Sequence, residues 1–394
     1  MSDSRSHRSF VSQNVSAIPR SGIRDFFDIV STTKGAISLG VGEPGFAAPW
    51  HIRDASIYSL EKGATGYTSN LGLAELRNGI ARYVEDAFDL SYDPQSEILI
   101  TTGVSEGLDL AIRAIVDPGD EIIFHEPSYV SYRPVIQLAS GIPVAVETDE
   151  KGEFEITLPA IAEKITERTK ALILSYPNNP TGATLSPSIL EGVANLAREH
   201  DFLVISDEIY AELTYDQQHV SIASLPGMKD RTLFLHGFSK AWAMTGFRIG
   251  YCCAPQVLTH AMMSIHQYTM LCAPILSQAA AIAALRRVDL DVPEMKKLYR
   301  RNRNFLIHSL AEMNLPCVQP KGAFYAFPFI GDLGVTSEQF ALDLLREQKV
   351  AVVPGTAFGD CGEGYIRCSY ATSLKDLKEA VLRMAQFVAK AKKD

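Results

Sequence analysis

A series of short apolar runs limits what this chain can fold into: "EILITTG" (97–103), "EIIFHEP" (121–127), "IPVAVET" (142–148), "KALILSYP" (170–177), "FLVISDE" (202–208), "TLFLHGFS" (232–239) and "RIGYCCAP" (248–255). Each has the length of a strand, and apolar residues fill successive positions rather than alternate ones. A strand of that kind is covered on both faces. Between the runs lie stretches of helical period: "SEGLDLAIRAIV" (105–116), with Ser105 as candidate N-cap, "YRPVIQLAS" (132–140), "LPAIAEKI" (158–165) and "SPSILEGVANLAREH" (186–200), opened by Ser-Pro. Strand and helix in alternation predict an α/β fold, a mostly parallel sheet sandwiched by helices. After about residue 285 the texture changes to the long amphipathic stretch "VPEMKKLYRRNRNFLIHSLAEM", short strands and a closing helix, "SLKDLKEAVLRMAQFVAKAK". That reads as a smaller α+β domain. The expected division is a large domain over 46–285 and a small one made of 1–45 with 286–394, with a site between them.

Charge and composition exclude other classes. The formal net charge is −9 over 394 residues, without the basic stripe that a nucleic-acid binder carries. The start, "MSDSRSHRSFVSQNVSAIPR", has no apolar core of a secretory signal, and no apolar run nears the ~20 residues of a membrane span. Six scattered cysteines, without CxxC or Cys/His ligand spacing, predict a reduced cytoplasmic protein with no metal site. "GVGEPG" (40–45) fits the dinucleotide pattern G-x-G-x-x-G, but Pro44 and Pro49 bracket it and no helix opens within it. Its glycines allow either close backbone approach or a simple turn.

The informative stretch is "HGFSKAWAMTGFRIGY" (236–251), where Lys240 follows a core strand and precedes Arg248 by eight residues. A desolvated lysine near other cations loses its proton at neutral pH and attacks carbonyls. Its commonest covalent partner in enzymes is the aldehyde of pyridoxal 5′-phosphate. That cofactor needs a carboxylate at its ring nitrogen, donors at its phenolic oxygen, a stacking ring and a phosphate cradle. Asp207 and Tyr210 in "SDEIYAEL", Asn179 in "SYPNNPTG", Tyr129 in "EPSYVSY", Ser105 in "TTGVSEG", and Ser239 with Arg248 are the candidates. Each alone has a plainer use: Asp207 as a helix cap, Asn179 as a turn residue, the tyrosines as half-buried aromatics, Arg248 as a surface ion pair. Together they fall near the carboxyl ends of predicted strands, where open α/β sheets bind ligands.

"SYPNNPTG", "SDEIYAEL" and "SKAWAMTGFRIGY", in this order, resemble the class I/II aminotransferases of the fold-type I group of pyridoxal-phosphate enzymes. The likeness runs from "ISLGVGEPGF" and "GYTSNLGLAELR" to "GAFYAFP" and "YIRCSYA". It is nearest the prokaryotic branch of aspartate, aromatic and N-acetyl-diaminopimelate aminotransferases. The resemblance implies that Lys240 joins the cofactor covalently and shuttles a proton, with Asp207 at the ring nitrogen and Tyr210 at the phenolic oxygen. It makes Asn179 a contact to both cofactor and substrate, Tyr129 the stacking ring, and Ser105, the backbone at Val104 and Glu106, Ser239 and Arg248 the phosphate seat. Arg367 in "YIRCSYA" becomes the grip on the α-carboxylate, and Gly42 a backbone contact to substrate. Tyr67 in "GYTSNLG" is expected to reach the phosphate of a partner subunit, which implies a homodimer.

The implied reaction moves an amino group from an L-amino acid to a 2-oxo acid such as 2-oxoglutarate. Two other readings share these residues: a β-C–S lyase on the same cofactor, and a sensor module of a regulator. The sensor needs a DNA-binding domain ahead of this region, and only about 35 residues precede "ISLGVGEPGF". For the side chain of the substrate, Arg24 and Lys321 are candidate cations, and Phe26 and Phe27 in "IRDFFDIV" candidate apolar contacts.

Overall fold

The computed structural model describes residues 10–18, 30 and 33–391. In chain order its strands are β1 Ile37–Ser38, β2 Ile98–Thr101, β3 Glu121–Glu126, β4 Ile142–Glu147, β5 Thr169–Leu174, β6 Leu203–Asp207, β7 Thr232–Gly237, β8 Gly250–Cys253, β9 Tyr325–Ala326, β10 Val350–Ala351, β11 Val353–Pro354 and β12 Ile366–Ser369. The central sheet has seven strands in the order β2-β8-β7-β6-β5-β3-β4. The pairs β3–β4, β3–β5, β5–β6 and β6–β7 are parallel, whereas β8 is antiparallel to both β2 and β7.

Both faces of this sheet are apolar, as the continuous runs require. Leu99, Phe124, Ile173, Ile205, Leu235 and Cys252 point to one face, against the helices Val104–Ile115 and Gln256–Thr269. Ile98, Ile100, Phe234, Tyr251 and Cys253 point to the other, packed under the helices Trp50–Glu61, Ala74–Phe88 and Ile275–Leu285. Further along that face Ile123, Leu172 and Val204 meet the helix Pro187–Glu199. Burial at these positions is worth about 1.5–3 kcal/mol per large aliphatic or aromatic side chain, so the runs define the core.

The C-terminal part builds a separate apolar cluster around the three-stranded sheet β11-β12-β9 and the helices Val288–Glu312, Ser337–Gln348 and Leu374–Ala391. β1 pairs in parallel with β10, and Leu39 belongs to the same cluster. The "GVGEPG" segment therefore hangs from the C-terminal part, with Ser369 donating to the Leu39 carbonyl at 2.6 Å. No helix among the described residues is long and apolar enough to cross a membrane.

Sequence and structure differ at the start of the helix that follows β2. Ser105 does not cap its helix; the helix begins at Val104 and the cap is Gly103, at φ 77°. Only a residue free to adopt that backbone lets the chain turn so sharply from β2 into the helix. Ser105 thereby sits in the first turn, with its hydroxyl at the helix N-terminus.

Candidate active site

β3, β5, β6 and β7 all end at one edge of the central sheet. β2 ends there too, because two antiparallel pairings through β8 return it to the direction of β7. The same geometry makes β8 start at that edge, so Arg248, two residues before it, arrives beside residues that follow the other strands. A cavity of about 570 Å³ opens at this edge. Asp207, Tyr210 and Asn179 line it from the ends of β6 and β5, and Ser239, Lys240 and Arg248 from the β7–β8 connection. Val104, Ser105 and Tyr129 line a further wall, while Arg367 comes from the C-terminal part and Gly42 from the N-terminal segment packed on it.

The Lys240 amine donates to the Gly42 carbonyl at 2.6 Å and lies over the rings of Tyr210 and Phe324. Burial lowers its pKa from 10.5 to about 8, helped by the cations Arg367 and Arg248 and opposed by Glu43 and Asp207. At pH 7 about one amine in ten is then neutral, against about one in three thousand at the ordinary value.

Asp207 is buried, with one carboxylate oxygen accepting from the Tyr132 hydroxyl at 2.8 Å and the other from the Ile209 N–H at 3.3 Å. Burial pushes its carboxyl up, against those two donors and the neighbouring His236 and Lys240. A carboxylate in such a place is costly until a cation faces it. Tyr210 and Tyr325 share a hydrogen bond of 2.8 Å between their hydroxyls.

Arg367, on β12, is 3% exposed. It donates to Asn179 Oδ1 at 2.8 Å and to the Gly40 carbonyl at 2.6 Å, while its Nε is buried without a partner. Its guanidinium lies 4.5 Å from the Tyr325 ring centroid and 4.8 Å from that of Phe358. An always-charged planar fork with an unused buried donor suits a carboxylate.

Arg248 is in the left-handed region (φ 51°) and donates to the Thr245 carbonyl at 3.1 Å. A Cβ on Gly103 would stand 2.7 Å from its guanidinium, so glycine is what lets this cation lie against the helix N-terminus. N–H groups of that 12-residue helix, the Ser105 and Ser239 hydroxyls and the guanidinium together suit a phosphate.

Three of the residues considered do not have their side chains on the cavity. Glu106 turns its side chain away, accepting from the Thr102 N–H and pairing with His266 Nδ1 at 2.6 Å, which leaves only its backbone for an anion. Tyr67 is 85% exposed and does not line the cavity of its own chain. Lys321 is not at the site: it pairs with Glu153 and lines a different, small pocket. Arg24, Phe26 and Phe27 lie outside the described residues. Tyr132, Tyr325 and Phe358 line the cavity although their sequence context singles out none of them.

Comparison with known proteins agrees with this geometry. A family profile described as "Aminotransferase class I and II" matches residues 34–384. An aspartate aminotransferase from Pyrococcus abyssi is 44% identical over 385 residues, 97% of this chain and 99% of that protein. The aromatic-amino-acid aminotransferase 2 of Thermococcus litoralis is 42% identical over 386 residues, again 97% of this chain and 99% of that one. The solved structure of Thermus thermophilus aspartate aminotransferase with maleate superposes with a TM-score of 0.91 at 35% identity, covering 96% of this chain and 100% of that one. A family match over most of the chain, relatives above 40% identity and a shared fold lead to one statement: the chain belongs to the class I and II aminotransferases, enzymes that transfer amino groups.

Proposed function

We propose that the chain is a pyridoxal 5′-phosphate-dependent aminotransferase that moves the α-amino group of an L-amino acid to a 2-oxo acid such as 2-oxoglutarate. The donor is of the aspartate, aromatic or diaminopimelate type; two relatives are named for aspartate and aromatic amino acids. The observation that carries the reading is the meeting of Lys240, Asp207, Arg248 and Arg367 on one cavity. The family comparisons favour neither a β-C–S lyase nor a sensor module.

The residues fit the cofactor. Lys240 offers an amine already inclined to lose its proton, and Asp207 a buried carboxylate whose direct partners are the Tyr132 hydroxyl and a backbone N–H. Tyr210 and Asn179 supply donors for a phenolic oxygen, Tyr129 a ring, and the helix N-terminus with Ser105, Ser239 and Arg248 an anion seat. When bound, the cofactor supplies an aldehyde that takes up the amine and a protonated ring that draws electrons from the substrate. Asp207 holds the proton on the ring nitrogen. Arg367 grips the α-carboxylate through its free Nε and neighbouring N–H, with Asn179 fixing its plane. The neutral amine of Lys240 removes the proton from the substrate Cα.

We also propose that residues 46–285 form the cofactor domain and that 1–45 with 286–394 form the smaller one; every strand of the seven-stranded sheet falls within the first range. A homodimer, with Tyr67 reaching the partner's phosphate, is supported by the exposure of Tyr67 together with that of Trp50 (62%), Tyr58 (58%) and Tyr268 (87%). The six free cysteines support a reducing, cytoplasmic setting.

The test is optical. Purified protein mixed with pyridoxal 5′-phosphate gains a visible band that L-amino acids change, and Lys240→Ala does not gain it. Absence of the band in wild type, or its retention in Lys240→Ala, refutes the reading. Aspartate, phenylalanine, tyrosine, alanine, methionine and N-acetyl-diaminopimelate then rank as donors by single-turnover rate. Pyruvate and ammonia released from cystine without an oxo acid would favour the lyase.

A further inference from the structure

Tyr325 belongs to neither the cofactor set nor the carboxylate grip, yet it touches both. It lies in "GAFYAFP", 1% exposed, on the short strand β9 beside β12. Its hydroxyl is 2.8 Å from that of Tyr210, and the two rings meet edge to face with centroids 5.8 Å apart. Its ring carries the Arg367 guanidinium on one side, with Phe358 near the same guanidinium. Burial pushes the hydroxyls of both tyrosines up, so each keeps its hydrogen at neutral pH.

We propose that Tyr325 is a positioning residue that sets the hydroxyl hydrogen of Tyr210 and the plane of Arg367 together. The first part follows from counting hydrogens. A tyrosine hydroxyl has one hydrogen to donate. If Tyr210 donates it to the phenolic oxygen of the cofactor, the Tyr210 oxygen offers Tyr325 only lone pairs, and Tyr325 is the donor between them. A donor onto Tyr210 polarises it and strengthens its own donation. The second part follows from shape: a guanidinium stacked on an aromatic face has its fork held edge-on to the cavity. Loss of the hydroxyl weakens the first function and leaves the second, whereas loss of the ring removes both.

This inference rests on the pyridoxal-phosphate reading, which fails on its own terms if wild type shows no visible band with the cofactor. Given the band, its pH midpoint and the steady-state constants are measured in holoenzymes of wild type, Tyr325→Phe and Tyr325→Leu. In Tyr325→Phe the deprotonated phenolic oxygen loses support, so the midpoint rises by about half a pH unit, with KM for the amino acid within twofold of wild type. Tyr325→Leu shows the same rise and, in addition, a KM increase of about fivefold to tenfold from the lost stacking. Because Tyr325 acts through Tyr210, adding Tyr325→Phe to Tyr210→Phe moves the midpoint no further. An unmoved or lowered midpoint in Tyr325→Phe overturns the proposal, as does an additive shift in the double variant. Equal KM values in the Phe and Leu variants overturn the part concerning Arg367. Near-ultraviolet circular dichroism that matches wild type shows each variant to be folded.

Discussion

Replacing Lys240 by methionine in the cofactor-free protein should make it more stable, by an amount that depends on pH. The folded chain holds the lysine proton only up to about pH 8, while the unfolded chain holds it to the ordinary value of 10.5. At about 1.4 kcal/mol per pH unit, the charged amine costs the folded state about 3 kcal/mol. Below pH 8 both states carry the proton and the whole cost is felt. From pH 8 to 10.5 the unfolded state binds more protons, so stability rises with pH and the cost fades. Methionine has similar length and no charge, but it gives up the hydrogen bond to the Gly42 carbonyl, worth about 1 kcal/mol. The net expectation is a gain of about 2 kcal/mol at pH 6, shrinking to about zero near pH 10. Urea unfolding of both proteins at pH 6, 8 and 10, compared at equal m-values, measures it. Every other titrating group is common to the two proteins, so the difference isolates Lys240. A difference that stays flat across the three pH values, or a loss at pH 6, would show that burial and the neighbouring arginines do not hold the amine down.

Arg367→Lys keeps the charge but not the fork, and should lower kcat/KM for any amino acid about a hundredfold or more, chiefly through KM; steady-state kinetics on two donors checks it. Gly42→Ala places a Cβ 3.0 Å from the Tyr325 hydroxyl. It should raise KM several-fold while shifting the thermal midpoint little, and a large stability loss with unchanged KM would contradict it. Glu212 is buried, which pushes its carboxyl up, but His236 at 2.9 Å and the Tyr83 hydroxyl outweigh this and hold it below the ordinary carboxylate range. Glu212→Gln should therefore cost about 3 kcal/mol at pH 7, a loss that diminishes as pH falls through the carboxylate range, seen in urea titrations at pH 7 and 4.

The large sheet was legible because its strands are buried on both faces, and a run of apolar residues reports burial directly. Direction is a different matter. "RIGYCCAP" reads like its neighbours, yet β8 runs opposite to β7, since nothing in an apolar run encodes polarity. Lys240, Asp207 and Asn179 were legible because charged or amide groups just past apolar strands stand out. Tyr132 was not. "EPSYVSY" offers two tyrosines, and only the helix that starts at Tyr132 turns the second one onto Asp207. Tyr325 and Phe358 were hidden for a similar reason: they sit among other aromatics, and the choice between core and cavity is made by the pairing of β9 with β12 for Tyr325 and by the helical turn Gly355–Phe358 for Phe358. Ser105 carried two expectations, a helix cap and a phosphate seat; glycine took over the cap, which leaves Ser105 in the first turn and on the cavity wall.

Lys240 and Arg248 belong to one connection between two legs of a single hairpin. β7 and β8 are locked by the register pairs Phe234–Cys253, Leu235–Cys252, His236–Tyr251 and Gly237–Gly250. The spacing between these two cations thus behaves as a gauge block, set by a hydrogen-bonded ladder. Arg367 hangs on β12, in another sheet, and its spacing from Lys240 behaves as an adjustable jaw, set by how apolar surfaces rest on each other and by single hydrogen bonds to Asn179 and Gly40. Wear in the jaw, such as a cavity cut at Leu39 or Leu344, changes how the amino acid is gripped and leaves the hold on the cofactor as it was.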